Sequence, residues 1–261
     1  MFLMLVLDGN VAHILYVSNI FGAQIINKKE GNNMKIAGLQ KLTLLDYPEH
    51  TACTVFTAGC NFRCPFCHNS DLIYNPPNAI SKEEFFEFLV TRKGKLDGVC
   101  ISGGEPLLQS DIIEFMQEIR GLGFLVKLDT NGSMHEKLKY IVNEGLCDYV
   151  AMDVKANPEG YFKACGGMVD VASVLDSISL LISQNKVDYE FRTTVVKNLH
   201  NKRDFEAIAS LLKGAKRYFL QQYKHSEKVL KEGCEGYLDD EMRELCSFVK
   251  QLGINCSLRG V

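Results

Sequence analysis

From Met34 onward, short β-branched and apolar runs alternate with segments whose apolar residues recur at helical spacing. The runs predict six strands, over residues 52–57, 98–102, 124–129, 149–154, 189–196 and 217–222. Between them, Ser81 followed by Glu84 is a capping-box start ahead of Phe85, Phe86 and Leu89. Ser133 with Glu136 repeats it ahead of Leu138, Ile141 and Val142. Ile112, Ile113, Met116 and Ile119 form an apolar stripe that Gly121 is placed to stop. Leu175, Ile178, Leu181 and Ile182 form another, and Met242, Leu245, Val249 and Leu252 the last, ahead of Gly253. Such stripes read as core. Strand–helix alternation predicts an α/β fold with a parallel sheet and right-handed crossovers, either an open sheet or a full or partial barrel. In each case chemistry collects at the C-terminal ends of the strands. No repeat, low-complexity tract or long linker divides residues 34–261, which read as one domain.

Residues 1–33 stand apart as an N-terminal extension. Their apolar stretch is broken by His13, Ser18, Asn19 and Gln24, and Asp8 interrupts the first run. It falls short of the uninterrupted run a membrane helix needs, so no membrane association is expected. Lys29-Glu30-Gly31 is what a purine-rich ribosome-binding sequence would encode a few codons upstream of Met34. The expectation is that translation begins at Met34.

With 46% apolar and 23% charged residues, the chain has ample material for a core and an ordinary polar surface. A formal charge of −3 gives no broad basic field, so nucleic acid is not the expected partner. The basic residues Lys197, His200, Lys202, Arg203, Lys213, Lys216 and Arg217 read as a solvated helix face rather than a docking patch. The 10 cysteines do not suggest disulfide staples in a chain this long, and no convincing secretion signal precedes them. A cytoplasmic location follows, with thiols free to ligate metal.

Directly after the first predicted strand comes GCNFRCPFCHN, in which Cys60, Cys64 and Cys67 have C-x3-C-x2-C spacing. Three clustered thiolates can hold three irons of a [4Fe–4S] cubane and leave the fourth open to a small molecule. The competing reading is structural zinc with Cys53 or His68 as fourth ligand, but His68 adjoins Cys67 and Cys53 lies back along the strand. After the second strand stands ISGGEP. Gly103 and Gly104 would let the backbone approach a ligand, and Glu105 could bind an ammonium group; the plain alternative is a strand-to-helix turn. LDTNG follows the third strand and MDVK ends the fourth, placing Asp129 and Asp153 where aspartates also serve as turn formers. Asp153 and Lys155, two apart, face the same side if the strand continues.

The cysteine spacing, with Phe66 before the last cysteine, resembles the signature of the radical S-adenosylmethionine (SAM) superfamily. LQKLTLLDYPEHTACTVFTAGCNFRCPFCHN, EFRTTVV and FLQQY are similar to segments of glycyl-radical-enzyme activases. The closest resemblance is to the longer branch of the anaerobic ribonucleoside-triphosphate reductase activating proteins, which approaches the pyruvate formate-lyase activases in layout. It spans residues 34–261. The resemblance implies a partial (β/α)6 barrel, a [4Fe–4S] cluster on Cys60, Cys64 and Cys67, and S-adenosylmethionine on its open iron. Reductive cleavage would yield a 5′-deoxyadenosyl radical that takes a Cα hydrogen from a glycine of a partner enzyme. The implied partner is anaerobic ribonucleotide reductase, with flavodoxin or ferredoxin as electron donor. Phe66, Gly103, Gly104, Glu105, Asp129, Thr130, Asp153, Lys155 and Arg192 are the implied cofactor contacts. A monovalent cation is implied near Asp129, Thr130, Met152 and Asp153.

The pattern departs in three places. Lys197 replaces a proline common in activases, Lys224 follows Tyr223 where pyruvate formate-lyase activases carry a histidine, and His225 is next door. The other seven cysteines lack C-x-x-C spacing and read as buried thiols rather than ligands of further clusters. A pyruvate formate-lyase-type activase, a radical SAM enzyme acting on a small molecule, and a non-catalytic metal module are the alternatives.

Overall fold

The structure is a computed structural model and describes residues 34–74 and 80–261; the N-terminal extension lies outside the described residues. Every predicted strand forms, within a few residues of its expected bounds: β2 (Ala52–Thr57), β3 (Gly98–Gly103), β4 (Leu125–Thr130), β5 (Tyr149–Asp153), β6 (Asp188–Val195) and β7 (Tyr218–Gln222). They pair in chain order, all parallel. Two strands were not expected. β1 (Ile36–Thr43) pairs antiparallel with β2 through an irregular register, and β8 (Cys256–Arg259) extends the parallel sheet beyond β7. β1 exposes Gln40, Lys41 and Leu42 in succession, and β8 is only four residues long, so neither carries a clear period-two pattern. The eight-stranded sheet ends at β1 and β8, which do not pair, leaving the barrel open.

The helices are α1 (Ser70–Tyr74), α2 (Lys82–Val90), α3 (Ile112–Gly121), α4 (His135–Asn143), α5 (Tyr161–Cys165), α6 (Val171–Ser183), α7 (Lys202–Leu211) and α8 (Asp239–Gln251). The Ser81–Glu84 capping box is present on α2. That at Ser133 is not: α4 starts after Met134, and the Ser133 hydroxyl instead donates to Asn131 Oδ1 at 2.6 Å and accepts from Asn61 Nδ2 at 2.8 Å. Gly121 is the last residue of α3 rather than its stop; the left-handed turn falls on Gly123. Leu252, counted with the α8 core stripe, caps the helix and is exposed, while Gly253 does take the left-handed turn. Among the described residues no helix is long and apolar enough to cross a membrane.

Alternation along the strands separates two environments. Val126, Leu128, Val150, Met152, Phe191 and Val195 are buried in the main apolar core with Phe115, Leu138, Ile178 and Phe205 of the helices. Of the intervening positions, Leu125, Tyr149 and Ala151 pack with Tyr47 and Ala52 in a small second cluster, and the others form a polar stack. At its base Glu190 accepts from Tyr149 and from both terminal nitrogens of Arg259. Above it Lys127 stands in register with Cys100, and at the C-terminal ends Asp153 is in register with Arg192. The fold thus delivers charged side chains to the strand ends where the cysteine loop emerges.

Candidate active site

The cysteine loop is held on three sides. Below it, the Gly103–Glu105 turn docks by backbone bonds: Gly104 N donates to Thr57 O at 3.0 Å and Glu105 N to Gly59 O at 2.8 Å. Gly103 has φ of +118°, and a Cβ there would lie 2.4 Å from Thr57 N; one on Gly104 would lie 1.9 Å from Gly59 O. Glycine is required at both positions by close backbone approach. On a second side Arg63 N donates to Cys165 O at 2.7 Å, which ties the loop to the end of α5. On the third, the segment after β7 donates from Leu230 N to Cys67 O and from Lys231 N to Pro65 O.

A cavity of about 270 Å³ opens beside this loop, and Cys60, Cys64 and Cys67 all line it. Of the other expected contacts, Phe66, Gly103, Gly104, Asp129, Thr130, Asp153, Lys155 and Arg192 line it too. Two residues named from sequence do not. Glu105 is fully buried behind the wall, where its carboxylate accepts from Thr130 Oγ1 at 2.8 Å, Asn131 N at 2.7 Å and Leu107 N at 3.1 Å. Its side chain therefore braces the two loops instead of reaching a ligand's ammonium group. Burial, with Asp153 adding to it, pushes this carboxyl up to about 7. Met152 is also buried, turned toward the outer layer; a Cβ on Gly132 would lie 2.0 Å from its Cε.

The charged wall is a continuous ion-pair network. Arg192 donates from Nε to Asp153 Oδ1 at 2.9 Å and from Nη1 to Asp129 Oδ2 at 3.3 Å. Lys155 Nζ reaches Asp153 Oδ2 at 2.8 Å, and Ser102 Oγ donates to Asp129 Oδ2 at 3.0 Å. Lys127 Nζ, from below, donates to Asp129 Oδ1. Burial opposes ionisation of both aspartates, yet Arg192 with Lys127 or Lys155 holds each carboxyl below the ordinary aspartate range.

The thiols differ from one another. A hydrogen bond from the Cys165 thiol holds Cys64 below the ordinary thiol range against the effect of burial, with Lys155 adding to it. Burial pushes Cys60 up to about 11. Cys165 was read as an inert core cysteine; it is buried, as are five of the other six non-motif cysteines, but it touches the central ligand of the loop. Sequence reasoning also missed Lys127 and Asn131, and weighed His68 only as a zinc ligand. His68 lines the cavity, stacks on Tyr223 at 5.3 Å and shares a 2.6 Å hydrogen bond with Lys224 O. Lys224 and His225 are exposed and are not among the lining residues.

The model of the radical SAM superfamily matches residues 54–212, which span the cysteine loop and the whole charged wall. The chain belongs to the radical SAM superfamily. It is 32% identical over 235 residues to a protein of Methanocaldococcus jannaschii named as a glycyl-radical enzyme activating enzyme, covering 87% of this chain and 96% of that one. It is 25% identical over 206 residues to the pyruvate formate-lyase-activating enzyme of Clostridium pasteurianum, covering 70% of this chain and 85% of that one. Among solved structures, SuiB of Streptococcus suis bound to S-adenosylmethionine superposes with a TM-score of 0.63 at 16% identity, covering 77% of this chain and 48% of that one.

The radical SAM cofactors are a [4Fe–4S] cluster and S-adenosylmethionine, and the donor set fits them. Cys60, Cys64 and Cys67 lie on one loop and line one cavity, and three thiolates are the donors that would hold three irons of such a cluster.

Proposed function

We propose that this enzyme makes a glycyl radical on a partner protein, and that the partner is anaerobic ribonucleoside-triphosphate reductase. The observation that carries the activase reading is the 32% identity, over nearly the whole of both chains, to the Methanocaldococcus jannaschii protein that is named as a glycyl-radical enzyme activating enzyme. The choice of reductase rests on the resemblance of the cysteine-loop, EFRTTVV and FLQQY segments, and on Lys224 standing where pyruvate formate-lyase activases carry histidine.

Bound in the cavity, the cluster and S-adenosylmethionine supply one-electron cleavage of the sulfonium C–S bond and, through it, hydrogen-atom abstraction from a glycine Cα, with methionine and 5′-deoxyadenosine as products. Cys60, Cys64 and Cys67 hold the cluster. Gly103 and Gly104 offer bare backbone for close approach, and Lys155 and Arg192 attract a carboxylate. Phe66, with Lys155 Nζ 6.0 Å over its ring, presents an apolar face that keeps water from the reacting bond. The unpaired edges β1 and β8 leave the barrel with an open side to admit a glycine-bearing loop. The electron enters from flavodoxin or ferredoxin in an anaerobic cytoplasm.

A pyruvate formate-lyase-type activase is the second reading, favoured by the 25% identity over 206 residues. The discriminating experiment incubates the reduced enzyme and S-adenosylmethionine with each candidate partner and records electron paramagnetic resonance. A glycyl doublet on the ribonucleotide reductase is expected. A doublet on pyruvate formate-lyase alone overturns the choice of partner, and no doublet on either, with 5′-deoxyadenosine still formed, overturns the activase reading.

A further inference from the structure

We infer that the aspartate pair of this cavity carries its own counter-cation, the ammonium of Lys127, and that cofactor binding here needs no sodium or potassium ion. The inference rests on the radical SAM reading of the cavity and departs from the monovalent cation that the resemblance implies.

The residues do not fit such an ion. A monovalent cation there would have to find the carboxylates of Asp129 and Asp153 without other cations against them. Asp129 instead meets Lys127 Nζ on one oxygen and Ser102 Oγ with Arg192 Nη1 on the other. Asp153 meets Arg192 Nε on one oxygen and Lys155 Nζ on the other. The Thr130 hydroxyl donates to Glu105 and accepts from Gly132 N, and the Met152 side chain is packed against Gly132. Lys127, Lys155 and Arg192 thus face two aspartates, so the wall is already cationic. A further cation would be repelled, whereas an anionic group such as the carboxylate of S-adenosylmethionine would be attracted.

Lys127 is placed for this role alone. Its side chain is 2% exposed, and among the described residues its other hydrogen-bond partner is Cys100 Sγ at 3.6 Å. Burial works against the charge, but Asp129 and Cys100 hold the ammonium above the ordinary lysine range. A lysine inside the barrel does not touch the ligand; it fixes the charge and the rotamer of the aspartate that lines the cavity, and is a positioning residue.

The test uses the full chain, anaerobically reconstituted with iron and sulfide, and measures equilibrium binding of S-adenosylmethionine in potassium, sodium and choline chloride at equal ionic strength. Wild-type affinity should agree within about twofold across the salts, since no ion joins the site. Lys127→Met keeps the length and removes the charge; it should bind about tenfold more weakly in choline and regain affinity in potassium, because a cation then fills the vacated place beside Asp129. A merely structural role would not give salt-specific rescue. Wild-type binding that is tenfold or more tighter in potassium than in choline overturns the inference alone, as does an anomalous rubidium peak at Asp129 in wild-type crystals soaked with rubidium. Both of these readings survive failure of the variant to fold. No binding in any salt overturns the radical SAM reading of the cavity, and the inference with it.

Discussion

Adding one methyl group at Gly104 should disable the site without touching a charged or metal-binding side chain. Gly104 does not need glycine for its backbone angles, because its φ lies outside the left-handed region. The requirement is space. A Cβ there would lie 1.9 Å from Gly59 O, 2.6 Å from Gly59 C and 3.3 Å from Cys60 N, and real Cβ atoms stay beyond 3.0 Å. Both neighbours are backbone, so relief requires the two loops to separate by about 1 Å. The movement falls on the peptide that precedes the first cluster cysteine, and it stretches the Glu105 N to Gly59 O hydrogen bond of 2.8 Å. Overpacking of this kind costs about 1–3 kcal/mol, and each kcal/mol lowers the melting temperature of a domain this size by roughly 2–4 °C.

The functional effect should exceed the stability effect. A displacement of about 1 Å at a reacting centre costs on the order of 10²-fold in rate. The assay is 5′-deoxyadenosine formation under dithionite, with iron content and thermal unfolding measured on the same preparations. Gly104→Ala should load less iron and cleave S-adenosylmethionine about 10²-fold more slowly. Gly121→Ala is the control: its Cβ meets nothing within 4 Å, and α3 should gain up to about 1 kcal/mol from the better helix former. A Gly104→Ala protein with wild-type turnover and melting temperature would refute the close-approach argument.

The remaining predictions address the ligands, the ion pairs and the buried carboxyl. Cys64→Ala should form no stable cluster and release no 5′-deoxyadenosine; wild-type turnover in that variant removes the cluster assignment. Arg192→Met strips the shared cation from two mostly buried aspartates and should cost about 3 kcal/mol in urea unfolding, since Lys127 and Lys155 still pair with them; a loss below about 1 kcal/mol would show the network to be dispensable for stability. For Glu105, burial raises the folded carboxyl to about 7 from 4.5, so between those values the folded protein holds a proton that the unfolded chain has released. Stability therefore falls as pH rises through that window and levels off above it, by about 3 kcal/mol in all. Glu105→Gln cannot titrate, so the stability difference between it and wild type should shift toward the variant from pH 5 to pH 8; a pH-independent difference would refute the assignment.

What could be read from the sequence was what depends on local pattern. β2 to β7 announce themselves by apolar runs, and the cysteine triplet by spacing within eight residues. β1 and β8 lack that signal because both are edges of the sheet: β1 turns a run of side chains to solvent, and β8 is too short to show alternation. The Ser133 cap failed for a related reason. The hydroxyl that could have capped α4 is engaged by Asn61 and Asn131, and that three-residue cluster ties the cysteine loop to the loop after β4. Nothing in the spacing of Asn61 and Ser133 hints that they meet.

The charged residues show where the limit lies. Asp129 and Asp153 were legible because LDTNG and MDVK resemble the activase pattern; position alone left them equally readable as turn formers at strand ends. Glu105 sits one residue beyond Gly104, and that single step turns its side chain from the cavity to the buried seam between the β3 and β4 loops. Lys127 shares a strand face with Asp129 by simple alternation, so their proximity was implicit in the VKLDT run. Its burial was not, because a lysine on a strand ordinarily reaches solvent. It cannot do so here: parallel pairing sets Cys100 beside it, and Arg192 and Asp129 close the path above it. An ammonium confined in that way is retained only with a carboxylate against it. The same curvature that gathers the cysteine loop and the strand ends around one cavity therefore commits Asp129 to an internal cation before any ligand arrives.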